Sequence, residues 1–244
     1  MNHKNKIYYW SPHLVNVATR RAVINSAYSI KKYSKNFECS IINFFGEFNL
    51  FKDEILNKKV NLINYFNPKI LNFLPKYGKI KSRFSYLVIF VFSFLPLKKL
   101  IDKDRPDYFI IHLITSLPLI LLMIFKFKTK FVLRISGLPK MNFLRRLLWK
   151  IALKKIFIVT CPTKITCDYI KSLKIVDENK VKLLYDPVIN VREITKKIKM
   201  KSEIISKHSN YFFSAGRLTK QKNFLFLCES FNKFLEINPN YKLL

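Results

Sequence analysis

Apolar residues along this chain fall into two recurring patterns. In the first, short runs are apolar nearly throughout: KIYYW (6–10), CSIINFF (39–45), YFII (108–111), KFVLRISG (130–137), IFIVTCPT (156–163) and KVKLLYDPVI (180–189). Runs of this kind are strands buried on both faces of a sheet. In the second, apolar positions recur every three or four residues, within 18–33, 117–127, 142–155 and 164–173. That spacing is the signature of helices with one buried face. The two patterns alternate, which predicts an α/β fold with a parallel sheet covered on both sides. Ligands of such sheets sit at the carboxyl ends of the strands, so chemistry is expected from residues just past each strand.

Two segments are apolar without a clear period. FSYLVIFVFSFLPL (84–97) and LITSLPLILLMIF (113–125) each contain a proline, and both fall short of the about 20 apolar residues that a bilayer crossing needs. The second reads as a helix buried against the sheet. The first, flanked by KIKSR and LKKL, reads as a core helix, with a membrane-surface element as the alternative and the two uses compatible; segments of this length are more often core helices. Residues 47–80 carry no organised pattern. Residues 190–210 are polar and charged, and read as a linker or surface helix between domains. Beyond them the alternation restarts. The expected layout is therefore a first parallel α/β domain over 1–190, a linker over 191–210 and the start of a second domain over 211–244.

Half of the 244 residues are hydrophobic and 15% are aromatic, enough for a packed core and against global disorder. The formal net charge of +30 points to an anionic partner: nucleic acid, an anionic membrane surface or an anionic small substrate. The crowding of Lys, Asn, Ile and Phe also fits an AT-rich coding sequence, which accounts for part of that balance. Nucleic acid is disfavoured because Arg is scarce beside Lys, zinc-finger spacing is absent and no basic helix is interleaved with aromatics. Cys39, Cys161, Cys167 and Cys228 form no CxxC pair and read as reduced, mostly buried thiols of a cytoplasmic protein. The stretch MNHKNKIYYW has no secretory apolar core.

The most pointed chemistry lies in YFFSAGRLTKQKNF (211–224). It reads as a strand over 211–215, a glycine turn, a basic loop and a helix start. Gly216 would let backbone approach a ligand. Arg217 carries a planar fork that matches phosphate oxygens, and Lys222 adds a mobile point charge. Asn223 is a favourable N-cap for a helix whose stripe is Phe224, Leu227, Cys228, Phe231, Phe234 and Leu235. A helix N-terminus aimed at the same anion completes a phosphate or diphosphate clamp, with a solvated basic loop as the alternative.

SAGRLTKQKNF resembles the opening of the second domain of family 4 glycosyltransferases, which have the GT-B fold. RPDYFIIH (105–112) is similar to the family strand that ends in a histidine, here His112. FVLRISG (131–137) is similar to the strand that ends in His-Gly, here Ser136-Gly137. LLYDPVI (183–189) is similar to an Asn-Pro or Asn-Gly segment, with Asp186 in the Asn position. The resemblance implies two Rossmann-like domains facing a cleft, the first, over 1–190, for the acceptor and the second for a nucleotide-sugar donor. It assigns Gly216, Arg217 and Lys222 to the donor diphosphate and His112 to catalysis near the donor sugar. It places His13, Asn16, Gly137 and Asp186 along the cleft, the loop 11–16 lacking the family's two glycines. No metal and no cofactor is implied, because fixed cations can stabilise a leaving diphosphate.

The family's pair of glutamates separated by seven residues has no counterpart: Glu229 and Glu236 have six residues between them and lie on a different helix. YKLL (241–244) reads as the first residues of another strand. The expectation is a transferase cut short in its second domain, with little turnover of its own. Its partners would be a nucleotide-sugar, a saccharide or lipid-linked acceptor of cell-surface polysaccharide synthesis, and an anionic membrane surface contacted through the basic helix 142–155 at the inner face of the cell membrane. The family expectation is retention of anomeric configuration. The competing expectation is an inactive remnant or non-catalytic module that binds membrane and acceptor.

Overall fold

A computed structural model of the chain describes residues 4–14, 18–67, 70–75, 79–200, 210–216, 218–220 and 222–244. Two compact units divide between Val188 and Ile189.

The first unit alternates strand and helix: β1 (Asn5–Trp10), α1 (Thr19–Tyr33), β2 (Phe37–Asn43), α2 (Lys52–Asn57), β3 (Asn61–Asn64), α3 (Ile70–Phe73), α4 (Lys79–Asp104), β4 (Tyr108–Ile111), α5 (Ser116–Ile124), β5 (Lys130–Arg134), α6 (Phe143–Ala152), β6 (Ile158–Cys161), α7 (Lys164–Ser172) and β7 (Val181–Leu183). The strands form one sheet in the order β3-β2-β1-β4-β5-β6-β7, and every pairing is parallel. The order reverses between β1 and β4, which is the switch point of a doubly wound sheet and the place where such sheets bind ligands.

The two-residue period of a strand decides which helices cover which face. On β1, Ile7 and Tyr9 point into a core shared with Val23, Ile24 and Ala27 of α1 and Ile55 of α2. Tyr8 and Trp10 point the other way, into a larger core with Ile89 and Leu97 of α4, Leu117 and Leu121 of α5, Trp149 of α6 and Ile170 of α7. Side-chain caps start the last two of these helices: Asn142 accepts from Arg145 N–H at 2.9 Å and Thr163 from Thr166 N–H at 3.2 Å. Each satisfies an amide that the helix itself leaves unpaired.

Residues 47–80 are more ordered than their pattern implies, holding α2, the edge strand β3 and α3. β3 lies at the edge of the sheet and none of its residues is buried, so it needs no continuous apolar run. The apolar stretch 84–97 belongs to a longer helix, α4, with Pro96 inside it.

The second unit contains α8 (Val191–Ile198), β8 (Tyr211–Phe212), α9 (Phe224–Ile237) and β9 (Lys242–Leu243). The segment 190–210 was expected as a linker or surface helix, and 191–198 is an exposed helix. Its N-cap is Asn190, whose Oδ1 accepts from Glu193 N–H and whose Nδ2 donates to Glu193 Oε1 at 3.0 Å. β8 and β9 pair in parallel over two residues each, so 241–244 does continue as a strand while the expected strand over 211–215 is shorter. Two calls on α9 are corrected. Asn223 takes a left-handed conformation, φ 48°, and makes no side-chain cap bond, a geometry that Asn tolerates better than most residues. Cys228, placed in the apolar stripe, is exposed; the other stripe positions are half-buried.

Candidate functional site

A cavity of about 630 Å³ opens at the carboxyl ends of β1, β4 and β5. Its lining includes His13, His112, Arg134, Gly137, Asn142 and Trp149. Three sequence-derived site residues therefore share one cavity: His112, His13 and Gly137.

His112 follows β4 directly. Its backbone N–H donates to Trp10 O at 2.9 Å, extending the β1–β4 ladder by one step and fixing where the imidazole leaves the sheet. The ring is buried, 3% exposed, and neither Nδ1 nor Nε2 has a hydrogen-bond partner among the described residues. Burial, reinforced by the positive charge of Arg134, pushes its pKa down to about 3. His112 is thus a neutral ring that can donate from one nitrogen and accept at the other.

His13 has a more settled environment. Its Nδ1–H donates to Ser11 O at 3.0 Å, which leaves Nε2 as the buried acceptor, unpartnered among the described residues. The ring packs edge-on against Phe48 with centroids 5.0 Å apart. Burial lowers its pKa, and the charge of Arg20 acts in the same direction.

Arg134, the last residue of β5, was missed by the sequence reading. Its Nε–H donates to Asp186 Oδ1 at 2.8 Å, Nη2 to Leu184 O at 2.7 Å and to Asp186, and Nη1 to Thr160 Oγ at 3.3 Å. One fork ties β5, β6 and the exit of β7 together. Asp186 does not itself line the cavity; its carboxylate is engaged by the cavity-lining Arg134. The available signal was a single charged residue closing an otherwise apolar strand, a position that a buried arginine holds only with a partner.

Two further features lay outside the sequence reading. The loop after His112 places Ile114 at φ 47°, a region that β-branched residues rarely adopt. The indole N–H of Trp10 donates to its carbonyl at 3.3 Å and pins the loop. Glu47, after the Gly46 turn at φ 85°, is buried. Its Oε2 accepts from Phe45 N–H at 2.8 Å, and burial pushes its pKa up to about 7.

Gly137 leaves open space where a Cβ would go, so no steric need fixes glycine there. Gly216 differs: a Cβ would meet the Phe224 ring at 3.3 Å, which makes close packing one reason for the glycine. Lys222 is exposed in the second unit. Arg217 and Asn16 lie outside the described residues. No group of three or more His, Cys, Asp or Glu gathers to hold a metal ion among the described residues.

No protein-family model matches the chain. It is 32% identical, over 240 aligned positions, to an uncharacterized glycosyltransferase of Methanocaldococcus jannaschii. The match covers 88% of this chain and 53% of that protein, so the chain spans about half the length of the curated relative it matches. Among solved structures, a candidate UDP-N-acetylglucosamine 2-epimerase of Listeria monocytogenes superposes with TM-score 0.63 at 12% identity, over 98% of this chain and 62% of that one. A glycosyltransferase of Rickettsia africae gives 0.56 at 13%, over 99% and 68%. The S. aureus MnaA–UDP complex gives 0.58 at 14%, over 100% and 62%. These likenesses establish the fold: a parallel α/β chain of the GT-B kind shared by glycosyltransferases and sugar-nucleotide epimerases.

Proposed function

We propose that this chain carries the acceptor side of a family 4-type, retaining glycosyltransferase. It would move a hexosyl group from a nucleotide-sugar to a saccharide or lipid-linked acceptor in cell-surface polysaccharide synthesis, at the cytoplasmic face of the membrane. The observation that carries the proposal is the buried imidazole of His112, unpartnered among the described residues and opening on a cavity of about 630 Å³ at the sheet's switch point. The 32% identity to an archaeal glycosyltransferase supports the transferase reading over the epimerase one.

The depressed pKa assigns His112 a role. A ring that holds a proton only below about pH 3 is a poor general base at neutral pH. It is well suited to hydrogen-bond a sugar hydroxyl without carrying charge. Arg217 and Lys222 would supply the charge at the donor diphosphate, where negative charge grows as the sugar–phosphate bond breaks.

The test combines calorimetric titration with UDP-sugars and a transfer assay from radiolabelled UDP-sugars into a membrane lipid extract. Donor binding that weakens in Lys222→Ala, with at most slow entry of label into an acceptor, is the expected result. Acceptor-independent conversion of UDP-N-acetylglucosamine to its 2-epimer would replace transfer by epimerisation. Acceptor binding with no nucleotide binding would make the chain a non-catalytic module.

A further inference from the structure

The helix α4 is apolar on the side that the fold does not use. Within its segment Arg83–Asp104 the most apolar window has a mean hydropathy of 1.8, yet only 28% of that window is buried. Ser85, Ile89, Ser93 and Leu97 recur every fourth residue and form the buried row. The opposite row is Phe84, Leu87, Val91, Phe92 and Leu95, each 58–60% exposed. Because the inner row is packed into the main core, α4 cannot cross a bilayer without dismantling that core. It can lie along one. The same outer row ends at Lys98 and Lys99 and is preceded by Arg83.

α6 continues this surface. Phe143, Leu144, Leu147 and Ile151 are exposed beside Arg145, Arg146 and Lys150. Tyr86 of α4 and Leu144, Arg145 and Leu148 of α6 line the same cavity as His112, so both helices reach its mouth. Charge selects the partner. No Asp or Glu occurs between 79 and 101 or between 108 and 167. Lys98 is paired with Asp102 one turn on, at 2.5 Å, which leaves Arg83, Lys99 and the cations of α6 to edge the stripe; an apolar stripe with such a rim fits the headgroup zone of an anionic bilayer.

We propose that the outward faces of α4 and α6 form one bilayer-docking surface, with α4 lying in the membrane plane, that presents a lipid-linked acceptor to the His112 cavity. The acceptor's identity rests on the transferase reading; the docking surface does not.

The full chain is sedimented with vesicles of phosphatidylcholine containing phosphatidylglycerol and with vesicles of phosphatidylcholine alone. The expected result is binding to the anionic vesicles that weakens as salt rises. The variant Leu87→Ser/Val91→Ser/Leu95→Ser should lose roughly tenfold or more in affinity through the apolar area it removes, with its circular dichroism and thermal midpoint kept. Lys99→Gln/Lys150→Gln should lose less and flatten the salt response. Three outcomes overturn the proposal: wild type that ignores anionic vesicles, a triple-serine variant that binds as wild type does, or a wild-type dimer that the triple-serine variant dissociates. UDP-sugar binding is measured on the same samples. Its absence with vesicle binding intact would sink the transferase reading and leave the docking surface standing.

Discussion

Two buried titratable groups near the carboxyl ends of the strands pull stability in opposite directions with pH. His112 is held neutral, its pKa near 3 rather than 6.5. Between those values the unfolded chain binds a proton that the folded chain refuses, so this group costs stability as pH falls. Glu47 is the reverse, with its pKa near 7 rather than 4.5. The folded chain keeps the proton longer, so stability is lost as pH rises from 4.5 to 7. Urea titrations of Glu47→Gln should therefore show a flatter response over that interval and a gain on the order of 2 kcal/mol at pH 8. His112→Asn should lose the acid-side dependence and leave the neutral side unchanged. Arg134 links the two scales of charge and packing. Arg134→Met leaves Asp186 without its partner and should cost about 2–4 kcal/mol, less than a fully buried pair because Asp186 is partly solvated. The same variant removes the cation beside His112, so the imidazole pKa should rise, read by NMR titration of the ring protons. An unchanged His112 titration would show that burial alone holds the ring neutral.

At the scale of elements, the strands were legible because a central parallel strand must be apolar on both faces, and no other element reads that way over so few residues. β1, β4, β5 and β6 follow from their sequence for this reason. β3 did not, because an edge strand with no buried residue leaves no such mark. α4 was half legible. Its apolarity was plain, but its length was not, since polar turns extend the helix at both ends of 84–97; and a helix apolar on all sides gives periodicity nothing to work with, so the sequence could not say which face the sheet takes. Packing decides it. Ile89→Ala should cost about 2–4 kcal/mol by opening a cavity in the main core, while Leu87→Ala should stay within about 0.5 kcal/mol in aqueous buffer. Equal losses would mean that both faces are covered. The site divides along the same line. His112 and His13 could be named because they stand just past strands. The Arg134 fork could not, since its partners at 160, 184 and 186 come together only through the order β5-β6-β7.

At the scale of the whole molecule, the two units differ in what holds them. The first has a seven-stranded sheet and side chains such as Tyr9, Trp10 and Phe109 with no exposed surface. In the second, no described residue is buried, and its sheet consists of two strands of two residues each. Its cohesion comes from an aromatic cluster: Phe212 lies 5.3 Å from Phe234 and 6.0 Å from Phe231, and Tyr241 lies 5.2 Å from Phe234. Such contacts contribute about 0.5–1.5 kcal/mol each beyond area burial. That suffices to order a helix against a short ladder, and falls well below the about 5–15 kcal/mol of a complete domain. Native-state hydrogen exchange should therefore separate the two units. Amides of α9, β8 and β9 should open with about 1–3 kcal/mol, while those of β1 and β4 exchange only through global unfolding. Phe212→Ala, which removes a ring shared by three contacts, should release protection across α9 and leave β1 and β4 as in the wild type. If protection fell in both units together, the chain would unfold as one cooperative body, and the aromatic cluster would be part of a single core.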